Sequence, residues 1–578
     1  MSRTTAPPPA RLSRGKQQSQ DIADAGGAMS HRQIMFVIFG LMAGMFLSAL
    51  DQTIVGTSMR TIADDLDGLS QQAWVTTAYL LLATISTPIY GKLSDIFGRR
   101  PLFIIAISIF LAGSLAAGFS TSMLELAGFR AIQGLGAGGL MALPLAIMGD
   151  ILAPRERAKY QGYFLAVFGV SSVIGPLVGG LFAGTPEILF VAGWRWVFLV
   201  NIPIGIAALF IVLRFLHIPH TRRPVRIDWW GATTVIVALV PLLLVAEFGR
   251  EWGWGSPAAI TAYVVGALGI GAFILSEKLM GDDALIPLKL FKDATFSMAT
   301  VLGVFVGFGM FGAMMTLPLY LQLVNGATPT ESGFLTLPLI LGLMIASIVS
   351  GQIIARTGKY RAFPTVGTLL MALGFFLFTF ATATTPVWFM MIGMLFVGLG
   401  LGQLMQTLTL ASQNSVSARD IGVATSSATF FRQIGGTLGT AVIFSVLFAR
   451  IPQAIEAAFG RSDVQAGIAA AVADPAVVAD PNNAQILDLL SQGAGGGSLG
   501  NALNGDTSFL NAADPRLAAP FLEGFSSATV TVFWVSLVVV VIAFVLSLFL
   551  KVTPLRETSA LQENAAEDAA VATAETAG

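Results

Sequence analysis

The sequence predicts an all-α membrane protein of two six-helix bundles with two extra transmembrane helices, about 14 spans in all. Three observations carry this. Hydrophobic residues make up 55% of the 578 and charged residues only 11%, and the mean hydropathy is +0.77; a soluble protein of this length needs far more charge to cover its surface. Apolar runs of near-spanning length recur along the chain. A glycine-rich, basic stretch also occurs twice, as GKLSDIFGRR at 91–100 and GQIIARTGKYR at 351–361. Both copies place two glycines seven apart at matching points of two halves, as in transporters built from repeats with the substrate site between them.

The elements follow in order. Residues 1–33 are polar, with Pro7, Pro8 and Pro9, and read as a cytoplasmic tail without the apolar core of a signal peptide. The first bundle, 34–217, holds expected spans at 34–57, 73–91, 101–120, 123–148, 160–184 and 194–217. A linker, 218–294, carries the extra pair at 229–247 and 257–277. The second bundle, 295–550, holds 295–323, 331–354, 362–383, 387–411, 424–448 and 526–550. Within it, 449–525 reads as a long extracytoplasmic loop with a flexible SQGAGGGSLG run at 491–500, where QAIEAAF and AQILDLL are expected as short helices. The Ala/Glu-rich tail 551–578 is expected to be cytoplasmic and disordered.

An even span count puts both ends on one side. Lys92, Arg99, Arg100, Arg155, Arg157, Lys159, Arg356, Lys359 and Arg361 crowd the loops on that side, which the positive-inside rule makes the cytoplasm. Trp194, Trp229, Trp230 and Trp388 fall at span ends and read first as an interfacial belt. The localisation is therefore a cell membrane, crossed many times, with membrane lipid as a constant partner.

Composition removes several functions. A net charge of −1 gives no basic surface for nucleic acid, and the absence of cysteine removes disulfides and cysteine–metal sites. His217 and His220 lack a third ligand nearby, so no metal is expected. No GxxxxGK[ST] loop is present, so ATP is not the energy source, and no nucleophile–base pattern marks an enzyme. No cofactor is expected; a proton gradient is left to drive the chain.

The chemistry centres on Asp51, a lone acid in the apolar stretch IMFVIFGLMAGMFLSALDQTIVGTSM. Ionised at mid-bilayer it costs roughly 2.5–3.5 kcal/mol, so it must face protein or a wet cavity. Burial favours a neutral carboxyl, which suits a group that takes up and releases protons. Arg130 enters from the same side in the fourth span, at a depth of roughly 7–10 Å like Asp51. It either couples to Asp51, its approach and withdrawal setting when the proton leaves, or braces carbonyls and snorkels. At the first inner loop, Gly91, Asp95, Gly98, Arg99 and Arg100 form a gating candidate with Asp150 as partner for an arginine. Asp95 can instead sit against a helix N-terminus. Gly175, Pro176, Gly179 and Gly180 crowd the fifth span, either as a bend or as close packing. Gln403, Gln406, Arg432 and Gln433 are candidate substrate contacts in the second half.

These stretches resemble the major facilitator superfamily, in its fourteen-span drug:proton antiporter branch of multidrug efflux type. LDQTIVGTSMRTIADDL resembles the first-helix signature, GKLSDIFGRRP the inner-loop motif, RAIQGLGAGG the fourth-helix motif, GVSSVIGPLVGG the antiporter motif and WRWVFLVNIPIG a mark of the fourteen-span branch. The resemblance implies alternating access and export of amphipathic drugs or dyes against proton entry. It casts Asp51 and Arg130 in coupling, Asp95, Arg99 and Arg100 in gating, and Gly175 with Pro176 in bending. Arg60 stands where proline is usual and Gly56 where asparagine is common. The extra acids of dication exporters are missing from the second half, so a dicationic cargo is not expected. An endogenous lipid-like cargo, with 449–525 docking it or an extracytoplasmic partner protein, is the alternative.

Overall fold

The computed structural model describes residues 29–66, 71–218, 226–491 and 509–577. The expected N-terminal tail up to residue 28, His220, and the glycine run from 492 lie outside the described residues, as does the Arg60 side chain. The first bundle is α1 (His31–Asp65), α2 (Gln72–Phe97), α3 (Arg99–Ala117), α4 (Met123–Ile151), α5 (Pro154–Gly184) and α6 (Asn201–Phe215). The linker hairpin is α7 (Trp229–Trp252) and α8 (Pro257–Met280). The second bundle is α9 (Ala294–Leu323), α10 (Leu337–Thr357), α11 (Ala362–Phe378), α12 (Val387–Asn414), α13 (Ile421–Phe459) and α14 (Pro515–Leu548). A helix stands at every expected span. Among the described residues twelve stretches are long and apolar enough to cross a membrane, and Ala362–Phe378 is a shorter apolar helix.

Local chemistry sets the helix starts. Ser30 accepts from the Gln33 N–H while the Gln33 side chain accepts from the Ser30 N–H, a reciprocal cap ahead of α1. Asp293 accepts the Phe296 N–H ahead of α9 and Ser122 the Glu125 N–H ahead of α4, each a one-way cap. Each bundle then buries its own apolar core, around Phe103, Phe110 and Leu140 in the first and Phe375, Phe378 and Phe533 in the second.

The repeated stretch has a physical basis in both copies. A Cβ at Gly91 on α2 would fall 1.9 Å from Ser426 Oγ of α13; one at Gly351 on α10 would fall 2.3 Å from the Ala158 carbonyl oxygen of α5. Both first glycines thus let helices of opposite bundles touch backbone to backbone. Both second glycines, Gly98 (φ 93°) and Gly358 (φ 68°), take a positive φ that ends their helices. Bundle therefore meets bundle along α2–α13 and α5–α10.

Both ends of the described residues sit on one side, the terminal face: Leu561 packs against the first-bundle core that includes Ile34, and Asn414 at the end of α12 donates to Thr553 Oγ1 at 2.9 Å.

Two boundaries differ from the sequence expectation. The connection expected at 449–525 is shorter, because α13 runs on to Phe459, absorbing QAIEAAF, and α14 already starts at Pro515. Between them Ser462–Val472, Pro475–Ala479 and Ala484–Ser491 are helical, the last being the expected AQILDLL helix. The tail expected to be disordered forms α15 (Ala560–Ala577). Arg556 fixes it by donating to the Val416 and Asn414 carbonyls and pairing with Glu563 at 3.1 Å, and Ala560 is buried beside Val416 and Ile421. Composition misled because alanine and glutamate also favour helix once an anchor is supplied.

Candidate functional site

Asp51 is completely buried inside the first bundle. Its Oδ2 pairs with the Arg130 guanidinium of α4. Its Oδ1 accepts from Gln133 Nε2 at 2.8 Å and from Asn201 Nδ2, the first residue of α6, at 2.7 Å. Arg130 also donates to Gln133 Oε1 at 2.7 Å and lies 4.0 Å over the Tyr79 ring of α2. Tyr79 in turn shares a hydrogen bond with Ser48 at 3.0 Å, and Asn201 donates to Ser114 Oγ at 3.0 Å. Every element of the first bundle except α5 thus contributes a polar group to the network around this acid, with α4 and α6 bonding to it directly. Two atoms of the cage stay unsatisfied, Arg130 Nε and Asn201 Oδ1. Asp51 exposes no surface in this conformation, so its carboxylate meets only the groups of the cage.

Gln133 and Asn201 were not singled out from the sequence. Gln133 carried a usable signal, since it lies three residues after Arg130 and so on the same helix face. Asn201 is an amide inside an apolar span, which in lipid needs a partner.

The second constellation closes the terminal face. Arg99 pairs with Asp95 at 2.5 Å and with Asp150 at 2.6 Å. Asp95 Oδ2 also accepts the Val423 N–H at 3.1 Å, in the first turn of α13. The acid is thus both ion-paired and placed at a helix N-terminus, the two arrangements the sequence left open. Arg157 at the base of α5 donates to Gln413 Oε1 of α12 at 2.6 Å and to the carbonyls of Gly149 and Leu152. Gln406 Nε2 donates to the Ala158 carbonyl at 2.6 Å, and Gln413 Nε2 to that of Leu145 at 3.1 Å. With Thr87 donating to Gln433 at 3.3 Å, these are the hydrogen bonds between the bundles among the described residues, and they gather toward the terminal face.

Arg100 donates to the Leu213 carbonyl of its own bundle at 2.8 Å and does not cross to the other. Gln406 also accepts from Ser347 and Ser350, while Gln403 donates through Nε2 to the Leu399 carbonyl of its own helix at 3.3 Å. Gln433 is engaged by Thr87. Arg432 keeps a half-buried side chain with no hydrogen bond or ion pair among the described residues. A Cβ at Gly175 would fall 2.0 Å from Thr53 Oγ1 and one at Gly179 2.2 Å from Thr57 Oγ1, while Gly180 faces open space. α5 continues through Pro176 without a break, so Gly175 and Gly179 serve the close approach of α1. Trp194 is buried and donates to Asp65 at 2.7 Å, so it leaves the expected interfacial belt, whereas Trp229, Trp230 and Trp388 are exposed. His217 lies past the end of α6; burial, with Arg100 and Arg214 nearby, holds its imidazole below the ordinary range.

Two helical bundles joined along repeat-related crossings, with an ion pair walled inside one and a polar closure at one face, define a multi-pass membrane transporter. Residues 41–440 match the Major Facilitator Superfamily, and the chain belongs to it. Over 425 residues it is 40% identical to the multidrug transporter protein MdtP of Bacillus subtilis, covering 73% of this chain and 77% of that one. It is 38% identical over 347 residues to a tetracycline resistance determinant of Streptomyces rimosus (59% and 96%). It is also 34% identical over 539 residues to an uncharacterised transporter of the family from Mycobacterium tuberculosis (92% and 72%). Among solved structures, the proton:xylose symporter XylE shares the fold at TM-score 0.56 and 14% identity, over 93% of this chain and 99% of that one. Members of this family are transporters and not enzymes.

Proposed function

We propose that the chain is a proton-coupled antiporter that exports amphipathic small molecules, such as drugs and dyes, across the cell membrane by alternating access. The observation that carries this is the enclosed Asp51 carboxylate, held by Arg130, Gln133 and Asn201 in a bundle interior. A proton added to Asp51 cancels the charge that fixes Arg130, and a buried guanidinium without its counter-charge must move or rehydrate. Because α1, α2, α3, α4 and α6 all contribute to the cage, that motion changes how the first bundle packs. The terminal closure, led by Arg99 and Arg157, then parts or reforms. The basic loops put this face and both termini in the cytoplasm, so the conformation described here is closed to the inside. The gradient supplies about 2.3 kcal/mol per charge for each 100 mV, plus any pH difference. The relatives named for multidrug efflux support the choice of cargo.

The test is dye efflux from proteoliposomes with an imposed pH gradient. Uphill export should follow the gradient and be lost in Asp51→Asn; accumulation that ignores the gradient, or survives the amide, rejects the reading. A second reading, export of a lipid-like metabolite, is favoured by the helical cap at Ser462–Ser491, which packs on α14 and gives an outer surface for cargo or a partner protein. Deleting the cap should then spare dye efflux and abolish lipid export.

A further inference from the structure

The sequence reading left the linker hairpin without a role, yet it holds a pair of enclosed acids. Asp228, just ahead of α7, is 3% exposed, and Glu277, near the end of α8, is 1% exposed. Asp228 Oδ1 accepts from the Gly231 N–H at 2.6 Å and from Ser276 Oγ at 3.3 Å, and its Oδ2 from the Leu285 N–H at 3.2 Å. Glu277 Oε2 accepts from the Ile286 N–H at 2.7 Å. Its Oε1 is buried and finds no conventional donor. What it does face is Asp228: the two side chains are within hydrogen-bonding reach, and a Cβ at Gly231 would touch both.

Two ionised carboxylates cannot share such a site, because like charges at contact disfavour the second ionisation. A metal ion does not fit either. Three backbone N–H groups and a hydroxyl already point at these oxygens as donors, which suits anions and repels a cation. The charged group nearest the pair is Lys92 of α2, which faces Glu277; Lys92 itself is surrounded by Asp95 of α2, Asp283 and Lys289 of the linker, and Asp420 ahead of α13.

We propose that Asp228 and Glu277 share one proton, forming a second proton-binding site apart from Asp51 that latches the α8–α9 linker against the gating helices. The linker carries the connection. Leu285 and Ile286, whose N–H groups bind the pair, bury their side chains in a cluster with Leu81 and Ile85 of α2 and Phe430 of α13. The Asp282 carbonyl accepts from Lys92 Nζ at 3.0 Å, one residue past Gly91 of the gating stretch. Lys289 reaches both Asp282 and Asp420, at 3.0 and 3.3 Å. With the proton in place the linker is held down on both gating helices. Its loss as pH rises leaves two adjacent enclosed charges, which repel and release the linker.

The chain has no cysteine, so Ala284→Cys in the full-length protein gives a single probe of the buried linker, with Thr357→Cys as an exposed control for thiol reactivity. Maleimide labelling of the linker probe, relative to the control, should rise several-fold from about pH 6 to about pH 9, and stay flat when Glu277→Gln supplies a permanent N–H to Asp228. A pH-difference infrared spectrum should likewise lose one protonated-carboxyl band in Glu277→Gln, a readout that needs no transport. Equal labelling rises with and without the amide, no rise in either, or an unchanged band pattern overturns the proposal. Asp51→Asn should leave the labelling profile intact, which separates this latch from the antiport reading.

Discussion

Around Asp51, chemistry and stability are tied to the same atoms. A buried ion pair adds little net stability, but removing one partner strands the other charge and typically costs about 3–5 kcal/mol. Arg130→Met should therefore lower the thermal unfolding temperature in detergent markedly. The double variant Asp51→Asn with Arg130→Met should recover much of the loss while remaining unable to pump. If the double variant is as unstable as the single one, the cost lies in packing against Tyr79 and not in the stranded charge. Asp51, Arg130 and a pairing of Asp150 with Arg99 or Arg100 were legible in the sequence because charges are rare in apolar spans and must find one another; that Arg99 is the partner needed the structure. The amides and hydroxyls that complete the cage were not, since glutamine, asparagine and serine have many uses and only three-dimensional packing selects among them. Glu277 and Asp228 stayed hidden for a related reason: 49 residues apart in sequence, they meet only because a hairpin folds back.

At the scale of single helices, the glycines divide by what faces them. Gly175 and Gly179 admit α1, whereas Gly180 looks onto open space. Gly175→Ala should press a methyl group into Thr53, which also donates to the Ser171 carbonyl at 3.1 Å, and cost about 1–3 kcal/mol by overpacking. Gly180→Ala should be close to silent. Export assays and thermal unfolding on the two variants check this, and equal effects would make the crossing of α1 and α5 irrelevant. The sequence announced a crowded glycine helix; it held no sign of which glycine meets a neighbour, because small-residue spacing is the same on a packed face and an open one. The α13 and α14 extensions were missed for another reason. Their outer turns mix polar with apolar residues, and a search for apolar runs stops where the lipid does.

Across the whole molecule, the two halves are fastened toward one face by hydrogen bonds, with the Arg99 ion pairs of the first bundle beside them. The general plan, two bundles and an extra hairpin, was visible from hydropathy and the duplicated stretch. The fastening itself was only half visible: Asp95 and Arg99 stand in a recognisable motif, while Arg157, Gln406 and Gln413 sit in ordinary context. Arg157→Ala removes three donated bonds at once, and the population should shift away from the closed terminal face. Ser426→Cys, buried against Gly91 in this state, should then label several-fold faster in the Arg157→Ala background; an unchanged rate would mean that Arg157 does not hold the face shut.

The C-terminal helix α15 adds one consequence. Leu561 beds into one half while Ala560 and Arg556 anchor on the other, so this short rod straddles the seam between the two halves. If the halves part as proposed, a fluorophore fixed there and another on the rim of α6 would see their separation swing with every cycle, an optical record that needs no label near the cargo path.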